Sequence, residues 1–355
     1  MYKVSVIIPI YNVRNYLERT LQVVIDQKLK DIEIILINDG STDGSEMICD
    51  QYAKNDTRVK VIHQKNCGVS YSRNRALDMA NGKYVFFMDA DDYIEEEMLL
   101  NLYELGEKNN SDLVICGFYF ESNYLSRDKQ LRIDKYCVNF PDSIYPSKEE
   151  FKKDFVQLWD KHLLYNVWNK LYRLDLIRQK SITFPKFNFG EDFEFNKSYL
   201  KECEKICITS NCYYHYIRER EGSSTTKHIA DLFNIRIREH ENLIKYFEEF
   251  GVVSPDAEEF LARRYIERAI GCIENLFNNN PEMALIEKYA EVKRIITHKH
   301  TRNSLSTARP TSKKMKIMLV PVKIKSTLFS MFMGWVISNI RSLSPSFFTK
   351  LKQCR

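Results

Sequence analysis

Five short runs of β-branched and aromatic residues punctuate the first 120 positions: VSVII (4–8), IEIILI (32–37), VKVI (59–62), YVFFM (84–88) and LVICGFYF (113–120). They are almost continuously apolar instead of alternating, the pattern of strands covered on both faces of a parallel sheet. Between the first two, Val13, Tyr16, Leu17, Thr20, Leu21, Val24 and Ile25 recur at spacings of three and four. That apolar stripe predicts a helix over 13–28. ALDMA before Gly82 and MLLNLYELGEK (98–108) repeat the helical pattern. Strand and helix in alternation predict a wound, Rossmann-like α/β sheet, mainly parallel, with helices on both faces.

Beyond residue 121 the pattern is mixed. Segments 151–177 and 191–202 predict helices, with the Pro- and Gly-containing ITFPKFNFG (182–190) between them. Residues 230–298 predict further helices, broken at GVVSPD (251–256) and NNNPE (278–282). The expected organisation is therefore a sheet domain over 1–226, a mainly helical extension over 227–300, and a basic tail over 301–355.

Ligands of open parallel sheets bind at the carboxyl ends of the strands. All four of the first tips are polar: PIYN (9–12), NDGSTDGS (38–45), HQKNCGVSYSRN (63–74) and MDADD (88–92). At the second tip, Asp43 with Glu46 has capping-box spacing and reads as a helix N-cap. Asp39 has no such role, and a carboxylate there can accept hydrogen bonds from a nucleobase or ribose. At the third tip, Asn66, Gly68, Arg73 and Asn74 open a predicted helix. A helix N-terminus beside a guanidinium suits an anion, and phosphate is the preferred reading over a solvated arginine.

The fourth tip crowds six carboxylates into residues 89–97, which is costly unless something positive compensates. Asp92 with Glu95 reads as an N-cap, and Glu96 and Glu97 suit the positive end of the following helix. Asp89 and Asp91 flank Ala90 just after a buried strand, where hard oxygen ligands suit Mg²⁺ or Mn²⁺ shared with a substrate's phosphates.

VSVIIPIYN, IEIILINDGSTDGS, NCGVSYSRNRALDMANGKYVFFMDADD and the later GEDFEFN occur in an order that resembles the family 2 glycosyltransferases, inverting enzymes of the GT-A fold, across residues 3 to about 225. The resemblance implies a nucleotide-sugar donor, most often a UDP-sugar, and a hydroxyl acceptor on a glycan or lipid-linked saccharide of bacterial surface polysaccharide. It implies that Pro9 and Tyr11 lie beside the base, Asp39 binds uracil or ribose, and Asn66 and Arg73 line the nucleotide pocket. It further implies that Asp89 reaches the ribose and metal side, Asp91 binds the metal, and Asp192 is the catalytic base with Glu191 beside it. Arg218 and Ser223 are implied phosphate ligands, with a solvated hairpin edge as the alternative. Trp168 in VWNKLYR either lines the acceptor site or belongs to the core. The chemistry is self-consistent: inversion needs one carboxylate to take the acceptor proton and a cation to offset the leaving diphosphate.

Charge divides the chain. Residues 292–355 carry 14 Lys and Arg and no Asp or Glu, so of a formal +5 the first 291 residues hold −9. In the tail, lysines 313, 314, 316, 323 and 325 and Arg341 surround Leu328, Phe329, Phe332, Met333, Trp335, Val336 and Ile340. The apolar portion, 328–340, is shorter than the roughly 20 residues of a membrane-spanning helix. It fits an interfacial helix on anionic lipid, giving an expected place on the cytoplasmic face of the cell membrane. A dimerisation helix is the rival; nucleic acid is not expected as a partner, since no recognition motif is present and the acidic body opposes it. Nine scattered cysteines without a C-x-x-C pair, and no leader-like start, predict reduced thiols. Neither G-x-G-x-x-G nor G-x-x-x-x-G-K-[ST] is present. A non-catalytic nucleotide-sugar-binding or scaffold protein is the remaining alternative to an enzyme.

Overall fold

The computed structural model describes residues 2–125, 131–186, 190–218, 229–278 and 283–343, which fall into two compact units divided near residue 218. The first unit is built on a ten-stranded sheet. Its parallel part is β1 (Val4–Ile10), β2 (Ile32–Asn38), β3 (Val59–His63) and β4 (Tyr84–Phe87), in the spatial order β3-β2-β1-β4. The helices α1 (Arg14–Ile25), α2 (Ser45–Asn55) and α3 (Val69–Met79) link these strands. Every residue of β2 and β4 is buried, as near-continuous hydrophobicity requires of strands covered on both faces.

Past β4 the sheet changes character. A two-residue strand β5 (Tyr93–Ile94) and α4 (Met98–Asn109) lead to β6 (Leu113–Leu125), β7 (Leu131–Val138) and β8 (Ser143–Tyr145). Short helices α5 (Lys148–Lys152) and α6 (Phe155–Asp160) precede β9 (Lys170–Arg173), which runs antiparallel between β4 and β6. This corrects the helix expected over 151–177. KLYR lies in the buried centre of the sheet, and four residues are too few to show a period. Then follow α7 (Leu174–Gln179), α8 (Glu191–Glu202) and β10 (Ile206–Arg218), parallel to β6 and antiparallel to β5.

Two of the nine cysteines depart from the expectation of reduced thiols. Cys137 on β7 and Cys212 on β10 form a disulfide, S–S 1.98 Å, across 75 residues of sequence. Gly117 of β6 makes room for it: a Cβ there would meet Cys212 Sγ at 2.8 Å and the Val138 carbonyl at 2.9 Å. Such a long-range pairing leaves no spacing signature.

The second unit is helical: α9 (Leu232–Phe250), α10 (Pro255–Asn275), α11 (Leu285–Thr297), α12 (Lys299–Thr307), α13 (Lys313–Lys323) and α14 (Thr327–Leu343). The break at GVVSPD is built from Gly251, left-handed at φ 77°, which closes α9, and Ser254, whose side chain accepts from Ala257 N at 3.2 Å to cap α10. Residues on both sides of position 300, from Phe233 and Ile273 to Met318 and Ile337, share one hydrophobic cluster.

Candidate active site

The strand tips are stitched to one another before any ligand is considered. Asn12, left-handed at φ 51°, accepts from Thr42 N at 2.8 Å through its side chain, and Arg14 N donates to Asp43 Oδ2 at 2.9 Å. Asp43 Oδ1 also accepts from Ser45 N and Oγ at 3.0 and 2.6 Å. Asp43 therefore serves the starts of α1 and α2 together, while Gly44 at φ 94° occupies the N-cap position expected for it. Asp39 is buried and accepts from Gln64 Nε2, Cys67 N and Gly68 N at 2.7–2.8 Å. Its carboxylate shapes the β3–α3 loop that carries Asn66, and that loop comes so close that a Cβ on Gly40 would lie 2.9 Å from Asn66 N. Asn66 is exposed, Tyr11 is 52% exposed, and Pro9 sits half-buried in β1.

Arg73 answers the charge crowding. Its side chain is only 3% exposed, and its two terminal nitrogens reach different elements. Nη2 lies 3.0 Å from Asp89 Oδ1 after β4, and Nη1 lies 2.7 Å from Asp192 Oδ1 in the first turn of α8, 119 residues away in sequence, with Glu191 Oε1 at 3.7 Å. Phe184 stacks 5.1 Å from the guanidinium and is held by Asn74, which exchanges two 2.8 Å hydrogen bonds with its backbone. Burial opposes the charge on Arg73, but Asp192, Asp89 and Glu191 together hold its pKa above the ordinary arginine value. Asp192 Oδ2 also accepts from Val167 N at 3.3 Å.

The acids outnumber their partner. Burial raises Asp89 to about 6, with Asp91, Asp192 and Glu191 pushing the same way against Arg73. Glu191 is raised by burial and then by Asp192. Asp92 does not cap a helix, contrary to expectation, because α4 begins six residues later at Met98. It is fully buried, accepting from Tyr214 Oη at 2.6 Å and Ile217 N at 2.9 Å, and burial drives its pKa well up. Arg19 and Thr20 hold the carbonyls of residues 90–92. The backbone beside Asp91 is thus fixed from two sides.

Asp89, Glu191 and Asp192 share the Arg73 guanidinium and Asp91 adds its charge beside Asp89, a setting in which a hard divalent cation would fit. Among the described residues no group of three or more His, Cys, Asp or Glu is arranged to hold an ion alone. A cation at Asp91 and Asp89 would therefore complete its shell with phosphate oxygens and water.

Several contributors gave no sequence signal. Tyr214 Oη accepts from Asp89 N at 3.3 Å while donating to Asp92. Lys170 is fully buried, its Nζ donating to Asn169 Oδ1 at 2.7 Å, and burial lowers its pKa to about 7 against the pull of Asp192. Trp168 is buried and stacked on Tyr214 at 4.3 Å, a core position. Arg218 ends β10, with its backbone paired to Ser122; Ser223 lies outside the described residues.

The family described as "Glycosyl transferase family 2" matches residues 5–179. The uncharacterized glycosyltransferase EpsJ of Bacillus subtilis (strain 168) is 32% identical over 258 residues, covering 72% of this chain and 73% of EpsJ. The cholesterol galactosyltransferase of Borreliella burgdorferi is 32% identical over 249 residues, covering 69% and 68% of the two chains. In fold, the chain is similar to S. aureus TarS 1-349 solved in complex with UDP-GlcNAc: TM-score 0.60, 19% identity, 96% of this chain and 91% of that one.

Proposed function

The chain belongs to glycosyl transferase family 2 and is a glycosyltransferase, and from that premise we propose that it moves a hexosyl or N-acetylhexosaminyl unit from a UDP-sugar to a hydroxyl of a glycan or lipid-linked saccharide, with inversion, at the cytoplasmic face of the membrane. The observation that carries this reading is Arg73, which joins the D-x-D tip of β4 to the acidic start of α8 in one buried ion-pair cluster. Two motifs with no local reason to meet share one counter-charge.

In this reading Asp192 takes the proton from the acceptor hydroxyl as its oxygen attacks the anomeric carbon. The bond from that carbon to the diphosphate oxygen breaks on the opposite face. Arg73 and the Val167 amide fix both carboxylate oxygens of Asp192, so the base is oriented before substrate arrives. Tyr11, exposed at the end of β1, stacks on the nucleobase, and Asn66 and Asp39 border the same pocket. Asp91 and Asp89 would hold Mn²⁺ or Mg²⁺, which supplies charge neutralisation for the leaving diphosphate. Support for a UDP-sugar comes from the UDP-GlcNAc bound in TarS, and for a lipid-borne hydroxyl from the Borreliella relative, a cholesterol galactosyltransferase.

The test is a panel of UDP-, GDP- and dTDP-sugars, read by thermal stabilisation and by sugar transfer, with Mn²⁺ and in excess chelator. Stabilisation by a UDP-sugar that needs the cation supports the reading. Transfer at the full rate in chelator would contradict the metal, and preference for another nucleotide would contradict the donor.

A further inference from the structure

The last described helix exposes several of its largest side chains and buries several of its smallest. Along α14 the buried positions are Thr327, Ser330, Gly334, Ile337 and Ser338, mostly small or polar. A Cβ on Gly334 would lie 2.7 Å from Ile273 Cγ2, so the helix backbone itself presses on α10. Ser338 Oγ donates to Asn278 at 2.7 Å, whereas Ser330 Oγ is buried without a hydrogen-bond partner. Four large apolar side chains nevertheless face outward, Leu328, Phe329, Phe332 and Trp335, with Leu328 71% exposed, while Ile337 is buried and Met331, Met333 and Ile340 pack against the core. A helix that faced water would turn Leu and Trp in and Ser and Thr out.

On α13 the division is of the ordinary kind on the inner side, where Met315, Met318, Leu319 and Val322 join the core. Its outer side nevertheless carries Ile317, Val320 and Ile324, exposed at spacings of three and four. Lys313, Lys316, Lys323 and Lys325 are exposed around them. Ile324 and Leu328, both exposed, bracket the turn between the two helices.

We propose that the outer faces of α13 and α14 form a monotopic docking surface for an anionic lipid bilayer. Exposed Phe and Trp beside lysines match the acyl boundary and the phosphate level of such a surface. Charge complementarity selects the occupant, because residues 292–355 contain no carboxylate. A second copy docking through this face in a two-fold arrangement would set lysine rows against each other. Among the described residues no helix is long and apolar enough to cross a membrane, and α14, at 17 residues, is about 25 Å long. It lies in the interface plane. The purpose of the surface, bringing the enzyme to a membrane-borne acceptor, rests on the function proposed above, while the surface itself rests on α13 and α14.

The experiment uses the full chain and vesicles of phosphatidylcholine with or without 30% phosphatidylglycerol, without donor or acceptor, so a failed transfer assay leaves its result intact. Trp159 and Trp168 are buried and Trp335 is exposed, which makes tryptophan emission a reporter of this face. The account expects flotation with anionic vesicles and a blue shift lost in Trp335→Phe. It expects binding at least tenfold weaker in Phe332→Gln/Trp335→Gln and in Lys323→Glu/Lys325→Glu, with transfer to a soluble acceptor unchanged in both. Absence of flotation, equal binding to both vesicle types, or a dimer in light scattering that the same substitutions dissolve would overturn it.

Discussion

Replacing Arg73 with Met tests the electrostatic design of the site. Arg73 is 3% exposed and compensates Asp89, Asp192 and Glu191 at 3.0, 2.7 and 3.7 Å. Removing one partner of a buried ion pair costs about 3–5 kcal/mol, because the charges left behind keep their desolvation penalty. Asp89 is 32% exposed and the other two acids 17%, so water relieves part of that penalty. The lower end, about 3 kcal/mol, is expected. For a unit of some 200 residues, about 2–4 °C accompanies each kcal/mol, giving a fall in Tm of about 6–12 °C. The assay is thermal unfolding by circular dichroism in chelator at pH 5 and 7.5. With the guanidinium gone, Asp89 and Glu191 lose the charge that holds their raised pKa values down and take up protons more readily as pH falls, so the deficit must shrink at pH 5. Arg73→Lys should recover only part of the loss, since one ammonium cannot bridge carboxylates on two elements as a planar fork does. A loss below about 1 kcal/mol, or one that grows as pH falls, would refute the reasoning.

Asp89 sets a pH dependence of its own. Its folded pKa, about 6, lies above the unfolded value near ~4, so the native state binds more protons between those values and stability falls as pH rises through that window. Melting in chelator across pH 4–7 should show the decline, and Asp89→Asn should flatten it. Tyr214→Phe leaves Asp92 Oδ2 and the Asp89 amide without the shared hydroxyl; urea titration should record a loss of about 1–3 kcal/mol, with kcat/KM for transfer reduced as the β4 tip loosens. Opening the Cys137–Cys212 bridge releases a 75-residue span, for which the chain-entropy relation gives about 4.5 kcal/mol. Reductant should lower the urea midpoint of the wild type and leave that of Cys137→Ala/Cys212→Ala unchanged.

The parallel half of the sheet was legible because its strands are almost continuously apolar and each is followed at once by its polar tip. D-x-D was legible as two acids with no capping role at a strand tip, whereas E-D-F reads locally as the charged start of a helix and was singled out by the family resemblance. What joins them was not. Arg73 read as a phosphate ligand because nothing near it in sequence shows that α8 returns to meet it. Asp92 and Glu95 have the spacing of a capping box, yet burial under Tyr214 and β10 decides the role of Asp92. β9 is four residues long and sits inside a stretch of helical composition, so tertiary insertion between β4 and β6 alone makes it a strand. In the tail, the order of apolar and basic residues was plain, whereas which of them face outward required the packing of α14 on α10 through Gly334.

The central claim is that Asp192, held by Arg73 opposite the D-x-D tip, removes the acceptor proton. Measuring single-turnover transfer and UDP-sugar binding side by side in wild type and Asp192→Asn tests it most directly. The account predicts transfer slowed by about 10²–10⁴-fold with donor affinity within a few-fold of wild type. Transfer near the wild-type rate in that variant would contradict it.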